Sequence, residues 1–235
     1  MKKYFGPIGI ILFSLLTLYS CIDDDNGIDP IIGSEENIAQ VVTGSDNLQS
    51  LAAALQRTDL VAALESGGPF TVLAPTDEAF ADFLSENGYA SLEEVPVEVL
   101  EQVLLNHVIA APITTTDFIT GQVGYASTIA DSPSINLAKL SLFFDTSDGI
   151  SFNGEAVIDQ NRADIGASNG VIHVINNVLE LPTVATFIAA DPIFESLEDA
   201  LNRDDQADFK AVLERAADTS PAPFTVFAPI NEAFA

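Results

Sequence analysis

The sequence predicts an α+β domain in which helices come first and strands follow. Leucines at 48, 51 and 55 keep helical spacing early in the chain. Beyond Ala111, short β-rich runs alternate with turn residues. A 13-residue segment also returns one domain length later.

Leu48, Leu51 and Leu55 fall on one helical face, with Ser45 or Asp46 available as the N-cap. Asp59 to Leu64 reads as a second short helix, ended by Gly67-Gly68. Phe70 to Ala74 is a β run that Pro75 stops. Thr76 can cap the next helix, Asp77 and Glu78 suit its positive end, and Phe80, Phe83 and Leu84 form its apolar face. Ser91-Leu92-Glu93-Glu94 has capping-box spacing, and a longer helix with Leu100, Val103, Leu104, His107 and Val108 on one face is expected after it. Asn153-Gly154 predicts a hairpin between Ile150–Phe152 and Ala156–Ile158. Val171 to Ile175 is the last strand, before Leu181-Pro182 closes the unit.

Pro69 to Ala81 (PFTVLAPTDEAFA) recurs as Pro223 to Ala235 (PFTVFAPINEAFA), with ten of 13 positions identical at an offset of 154. That offset is one domain length, not a solenoid period. The expected layout is a leader at 1–20, an acidic linker at 21–37, a complete domain at 38–182 and the start of a second at 183–235. Residues 183–235 would supply helices and one strand without the later strands that cover them. Phe224, Val226, Phe227 and Phe234 would then lack partners and favour self-association. The interruption reads as missing sequence, as in an incomplete gene.

At the N-terminus, Met1-Lys2-Lys3 precedes an apolar run from Ile8 to Tyr19, too short to span a bilayer, which takes roughly 20 residues. It ends at Ser20-Cys21, and Cys21 is the only cysteine. The pattern resembles a bacterial lipobox, which implies that Cys21 is the lipid-attachment residue. A single cysteine excludes an intrachain disulfide. Asp23-Asp24-Asp25 directly after it is similar to the surface-export signal of Bacteroidetes lipoproteins, which implies an outer-membrane lipoprotein exposed on the cell surface.

The chain carries 8 basic and 35 acidic residues, a net charge of −27, and loss of Lys2 and Lys3 with the leader would make it −29. Such a field repels nucleic acid and anionic membranes, so the lipid acts as a tether only.

Phe70 to Phe80 resembles the first signature of the fasciclin domain, and Asn169 to Leu179 resembles its second. Leu104-Leu105-Asn106-His107-Val108 stands where that family has its central histidine motif. The three occur in family order across residues 38–182. The resemblance implies a β-sandwich or wedge flanked by several helices, and a family whose members mostly mediate adhesion at cell surfaces or in matrix. Asn106 replaces the tyrosine often found before the histidine, and Asn176 replaces the acid often ending the second signature. Asn106 and His107 fall in a region the family links to adhesion. Asp164-Ile165 resembles the Asp-Ile element proposed for integrin contact in animal members. These four residues are the candidate partner contacts.

Gly166-Ala167-Ser168-Asn169-Gly170 matches Gly-x-Ser-x-Gly, with Asp164 and His173 nearby. A nucleophile elbow needs a strand, a turn and a helix, whereas a β-branched run follows Gly170, so no enzyme chemistry is expected. His107 and His173 are the only histidines, each reads first as a core or near-core imidazole satisfying backbone groups, and two histidines without nearby cysteines do not build a transition-metal site. Asp23 to Gly27 fails EF-hand spacing, and Asp145 and Asp148 before Gly149 read as a turn. The acids allow weak surface binding of cations such as calcium but no dedicated metal site. No Gly-rich phosphate loop is present, and no cofactor is expected. The expected partner is a cell-surface or matrix protein or a polysaccharide. The leading expectation is a non-enzymatic adhesion or matrix-binding lipoprotein. The alternatives are a carbohydrate-binding accessory protein of a glycan-uptake system and a structural spacer.

Overall fold

The computed structural model describes residues 35–205, 207–215 and 222–235. The leader, Cys21 and Asp23 to Gly27 lie outside them. Helix α1 (Ile38–Gly44) opens with a reciprocal cap: Asn37 Oδ1 accepts from Gln40 N at 3.0 Å and Gln40 Oε1 from Asn37 N at 2.8 Å. Helix α2 (Gln49–Arg57) buries Leu51, Ala52, Ala54 and Leu55. Its cap is not Ser45 or Asp46. Ser45 Oγ donates to Val41 O at the end of α1, and Asp77 Oδ1 reaches across to accept from Ser50 N at 2.6 Å. A tertiary contact has taken over a local capping role.

Asp59 has a left-handed φ of 56°, so α3 begins only at Val61 and runs to Ser66. Strand β1 (Phe70–Pro75) leads into Thr76, whose Oγ1 accepts from Ala79 N and starts α4 (Asp77–Glu86). Ser91 makes no capping bond. Leu92–Glu94 is a single 3-10 turn, because Pro96 holds Val95 extended and restarts the chain as α5 (Val97–Asn106). His107 is the C-cap of that helix, and Val108 already belongs to β2 (Val108–Ile109). Where the sequence reads β-rich, the chain first forms α6 (Thr115–Gly121), opened by a Thr114/Asp117 capping box and anchored by buried Phe118.

The remaining strands are β3 (Val123–Asp131), β4 (Lys139–Asp145), β5 (Ser151–Phe152), β6 (Ala156–Val157), β7 (Ile165–Ala167) and β8 (Gly170–Ile175). They form one sheet in the order β6-β5-β4-β3-β2-β1-β8-β7. Every pair is antiparallel except β1 with β8, which run parallel over six positions from Phe70↔Gly170 to Pro75↔Ile175. The sheet curls until its far end returns. Asp159 N, just past β6, donates to Val174 O at 2.9 Å, and Asn176 N donates to Val157 O at 3.2 Å.

The β1/β8 pair therefore divides two cores. Val72, Ala74, Ile172 and Val174 face the helices with Ile38, Leu51, Phe80 and Leu100. Leu73 and Ile175 face inward to Phe118, Leu142 and Phe152. Alternation along a strand puts one residue in each core in turn. Each fully buried Leu or Phe in them contributes about 2 kcal/mol. The α+β expectation holds, and the β part is one curled sheet flanked by helices.

After residue 183 come α7 (Val184–Ala190), α8 (Glu195–Leu201) and α9 (Phe209–Leu213). Helices α7 and α8 each start 146 residues after α1 and α2, and the α7 cap is again reciprocal, between Thr183 and Thr186. Asn231 Oδ1 accepts from Ser196 N at 2.9 Å, the counterpart of Asp77 with Ser50. The strand expected over Phe224 to Ala228 is not formed. That segment runs without a ladder, because the described residues after 183 hold no strand to pair with it.

Candidate functional site

His107 sits between the C-terminus of α5 and β2, where the chain turns from the helical layer into the sheet. Its ring is 2% exposed. Nδ1 donates to Val103 O at 2.7 Å, and Nε2 accepts from Leu179 N at 2.8 Å, which selects one neutral tautomer. Burial pushes its pKa down to about 4, with the Val103 carbonyl opposing. Asn106 is 0% exposed, and its Nδ2 donates to Glu180 O at 3.0 Å. Among the described residues, its Oδ1 is the buried side-chain polar atom left without a partner. Both side chains hold the Val178–Leu181 segment from beneath and offer no surface of their own.

Asp164 has a φ of 52°, which aims its N–H at His173 Nδ1, 3.2 Å away. Its carboxylate accepts from Thr115 N at 2.8 Å and from the Thr115 hydroxyl. His173 Nε2 donates to Ile113 O at 2.8 Å. Burial lowers the His173 pKa, while the Ile113 carbonyl and Asp164 oppose it. The knot ties the start of α6 to the β7–β8 hairpin. Ile165 is half-buried against the helix-side core, opposite Ile172. Asp164 is the one candidate with a side chain substantially open to solvent, about a third exposed.

The two pairs lie on one row of the sheet. Leu73 N donates to His107 O at 2.9 Å, Leu73 stands opposite His173, and His173 meets Asp164. Three strand spacings separate the ends, about 14 Å. The structure thus places Asn106 and His107 together, and Asp164 and Ile165 together, at opposite ends of that row.

Ser168 occupies the turn between antiparallel β7 and β8, not the strand-to-helix bend of an elbow. His173 has both ring nitrogens engaged elsewhere, so no Ser-His pair forms. Asp145 Oδ1 accepts from Ser147 N at 2.7 Å, the turn its spacing predicted.

Two surface features frame this row. A groove of about 640 Å³ opens beside the single β2–β3 pair, Ile109↔Thr128, and is lined by Ala111, Ile113, Phe118, Tyr125, Ala126 and Phe144. A cleft of about 500 Å³ carries Glu86, Glu155, Glu180 and Glu214. Burial, then Glu180 and Glu86, raise the Glu155 pKa. Among the described residues, no group of three His, Cys, Asp or Glu side chains is arranged to hold a metal, and no helix is long and apolar enough to cross a membrane.

Two organising residues, Thr71 and Asn169, do not stand out in the sequence pattern. Thr71 is buried in β1, where its Oγ1 donates to Ala111 O at 2.6 Å and accepts from Ile113 N at 2.7 Å. Asn169 accepts from Ile38 N at 2.9 Å and donates to Leu64 O and to Gly67 O, joining α1, α3 and the β7–β8 turn. A hydroxyl within an apolar strand and an Asn-Gly turn before one were the available signals.

The fasciclin domain profile matches residues 46–182. The chain is 36% identical over 150 residues to Protein sll1483 of Synechocystis sp., covering 63% of this chain and 76% of that one. It is 28% identical over 214 residues to transforming growth factor-beta-induced protein ig-h3 of Oryctolagus cuniculus, covering 88% of this chain and 28% of that protein. Among solved structures, a FAS1 domain pair from the insect cell adhesion molecule Fasciclin I matches with a TM-score of 0.51 at 19% identity, over 73% of this chain and 57% of the other. At that identity the likeness is one of fold. With the profile spanning more than half of its length, and with helices leading into a curled sheet as its architecture, this chain belongs to the fasciclin family.

Proposed function

We propose that this chain is a non-enzymatic adhesion or matrix-binding protein, held at a bacterial outer surface by a lipid on Cys21. The observation that carries the reading is the fasciclin domain at residues 46–182. Its fold is that of a domain pair from a molecule described as a cell adhesion molecule. Beyond residue 182, α7 and α8 return with the spacing and caps of α1 and α2, which supports a second fasciclin unit starting there. The alignment with ig-h3 covers 88% of the chain, more than its first 182 residues can supply, and supports the same division.

The partner is a surface or matrix protein or a polysaccharide, met by the exposed surface around Asp164 and not by the buried Asn106 and His107 side chains. The test displays the full chain on cells and compares it with Cys21→Ser. Protease shaving should release the wild-type protein from intact cells, and the variant should leave the membrane fraction. Attachment to coated matrix proteins should fall when the gene is deleted. Selective binding to one polysaccharide on a glycan array, with attachment unchanged, would overturn adhesion in favour of a glycan-uptake role.

A further inference from the structure

The groove beside β2 and β3 exists because the two strands part after a single pair, Ile109↔Thr128. Thr71 Oγ1 donates to Ala111 O at 2.6 Å and accepts from Ile113 N at 2.7 Å, which holds the chain leaving β2 over β1. Pro112, between them, has no N–H to offer β3.

Strand β3 is left with an open edge. Thr146 N donates to Gln122 O at 3.0 Å just before β3, so antiparallel alternation gives Gly124 and Ala126 the bonds to Phe144 and Leu142 of β4. Val123 and Tyr125 therefore turn their N–H and C=O groups the other way, toward the groove. Among the described residues no strand pairs with them there. Open edges are usually blunted by charge or proline, and Val123 to Ser127 carry neither. The groove's lysine, Lys139, is engaged with Asp131 at 2.7 Å and with Ile129 O at 2.9 Å.

The floor is apolar. Phe118 and Phe144 pack edge-on with centroids 5.2 Å apart, and a Cβ on Gly124 would stand 3.1 Å from the Phe144 ring. Unpaired main-chain groups above aromatic rings suit an occupant that brings both main-chain bonds and apolar side chains, which is an extended peptide. Charge narrows the choice. Asp117 lines the groove, and its bonds from the Thr114 hydroxyl and N–H hold its carboxyl below the usual carboxylate range. Asp164 grips Thr115 at the same end of α6. A second copy would bring another −27 to the contact, so the complement is a basic segment.

We propose that the open edge of β3, Val123–Ser127, and the groove beside it take up an extended segment of a partner protein as an added strand, with apolar side chains alternating with Lys or Arg. The inference rests on the adhesion reading only for the partner's being a protein.

The test adds the synthetic peptide acetyl-(Val-Lys)4-amide to the purified full chain and follows amide exchange by NMR. Exchange at Val123 and Tyr125 should slow about tenfold, while Gly124 and Ala126, already bonded to β4, stay unchanged. A fully N-methylated (Val-Lys)4 and a (Val-Glu)4 peptide should give no protection. Asp117→Asn should weaken the parent peptide about threefold. No slowing at about 1 mM peptide would overturn the proposal, and so would equal binding of the N-methylated peptide, because charge alone would then account for it. Unchanged affinity in Asp117→Asn would overturn the basic character of the occupant. Slowing at Tyr125 that grows with chain concentration in the absence of peptide would assign the edge to a second copy instead. Peptide protection is read apart from cell attachment, so attachment that survives gene deletion faults the adhesion reading and leaves the groove's result standing.

Discussion

His107 enters the fold with both ring nitrogens committed, so its proton binding is linked to folding. Its folded pKa of about 4 lies below the ordinary imidazole value of 6.5. Between those values the unfolded chain takes up a proton that the folded chain refuses, so stability falls as pH drops from 6.5 through 4. The full loss is about 3 kcal/mol, from 1.4 kcal/mol per pH unit. His173, also lowered by burial, adds in the same direction. Glu155, raised mainly by burial, offsets part of this as acid neutralises it. Urea midpoints measured from pH 7 to pH 4 should therefore decline, and His107→Gln should be weaker at pH 7 with a flatter profile. Parallel profiles for the two proteins would refute the linkage. Asn169 makes a different prediction. Replacing it with alanine removes three bonds among α1, α3 and the loop before β1, and leaves Ile38 N without its acceptor. The expected cost is about 3 kcal/mol in urea unfolding. A change below about 0.5 kcal/mol, the scale of an ordinary surface substitution, would show that water replaces those bonds freely.

The β5–β6 hairpin shows which elements are legible in sequence. Asn153-Gly154 marked it, and the turn needs both: Asn153 has a φ of 52° and Gly154 of 73°. What the dipeptide did not reveal is that Asn153 Oδ1 accepts from buried Phe143 N at 3.0 Å, stitching the turn to β4. Asn153→Ala should cost about 2 kcal/mol by chemical denaturation, combining the lost acceptor and left-handed strain. Asn153→Gly should recover the strain portion, and equal losses for the two variants would remove strain from the account. Helix α6 is hidden in the sequence because Thr114-Thr115-Thr116 reads as β-branched. Its helical state is set by contacts far off in sequence, the burial of Phe118 and the grip of Asp164 on Thr115. At α2, Ser45 and Asp46 looked like caps, but the capping atom belongs to Asp77, a choice that local spacing cannot anticipate.

At the scale of the whole molecule, helices before strands and the 154-residue repeat were legible, but the join between them was not. The parallel β1/β8 pair links residues 100 positions apart, and nothing local encodes it. The seat of α7 on the first unit was equally hidden. Asp191 is 3% exposed, with Oδ1 accepting from Ile193 N at 3.1 Å and Oδ2 from the Tyr125 hydroxyl at 2.7 Å. The Tyr125 ring packs edge-on against Phe143 of β4 and Phe187 of α7, with centroids 5.2 and 5.8 Å away. Burial and the Asp191 carboxylate hold the phenol pKa above its usual value, so it stays a donor at any physiological pH. Tyr125→Phe keeps both ring contacts and deletes only the hydroxyl, leaving one carboxylate oxygen buried without its donor. That loss is worth about 2 kcal/mol and falls on the junction, because the rest of the first unit has its own two cores. Hydrogen exchange in Val184–Leu201 should accelerate while β1, β8 and α5 keep their protection. If exchange quickened uniformly from Ile38 to Leu201, the hydroxyl would be supporting the whole fold, and if nothing quickened, the aromatic stack alone would be holding α7 in place.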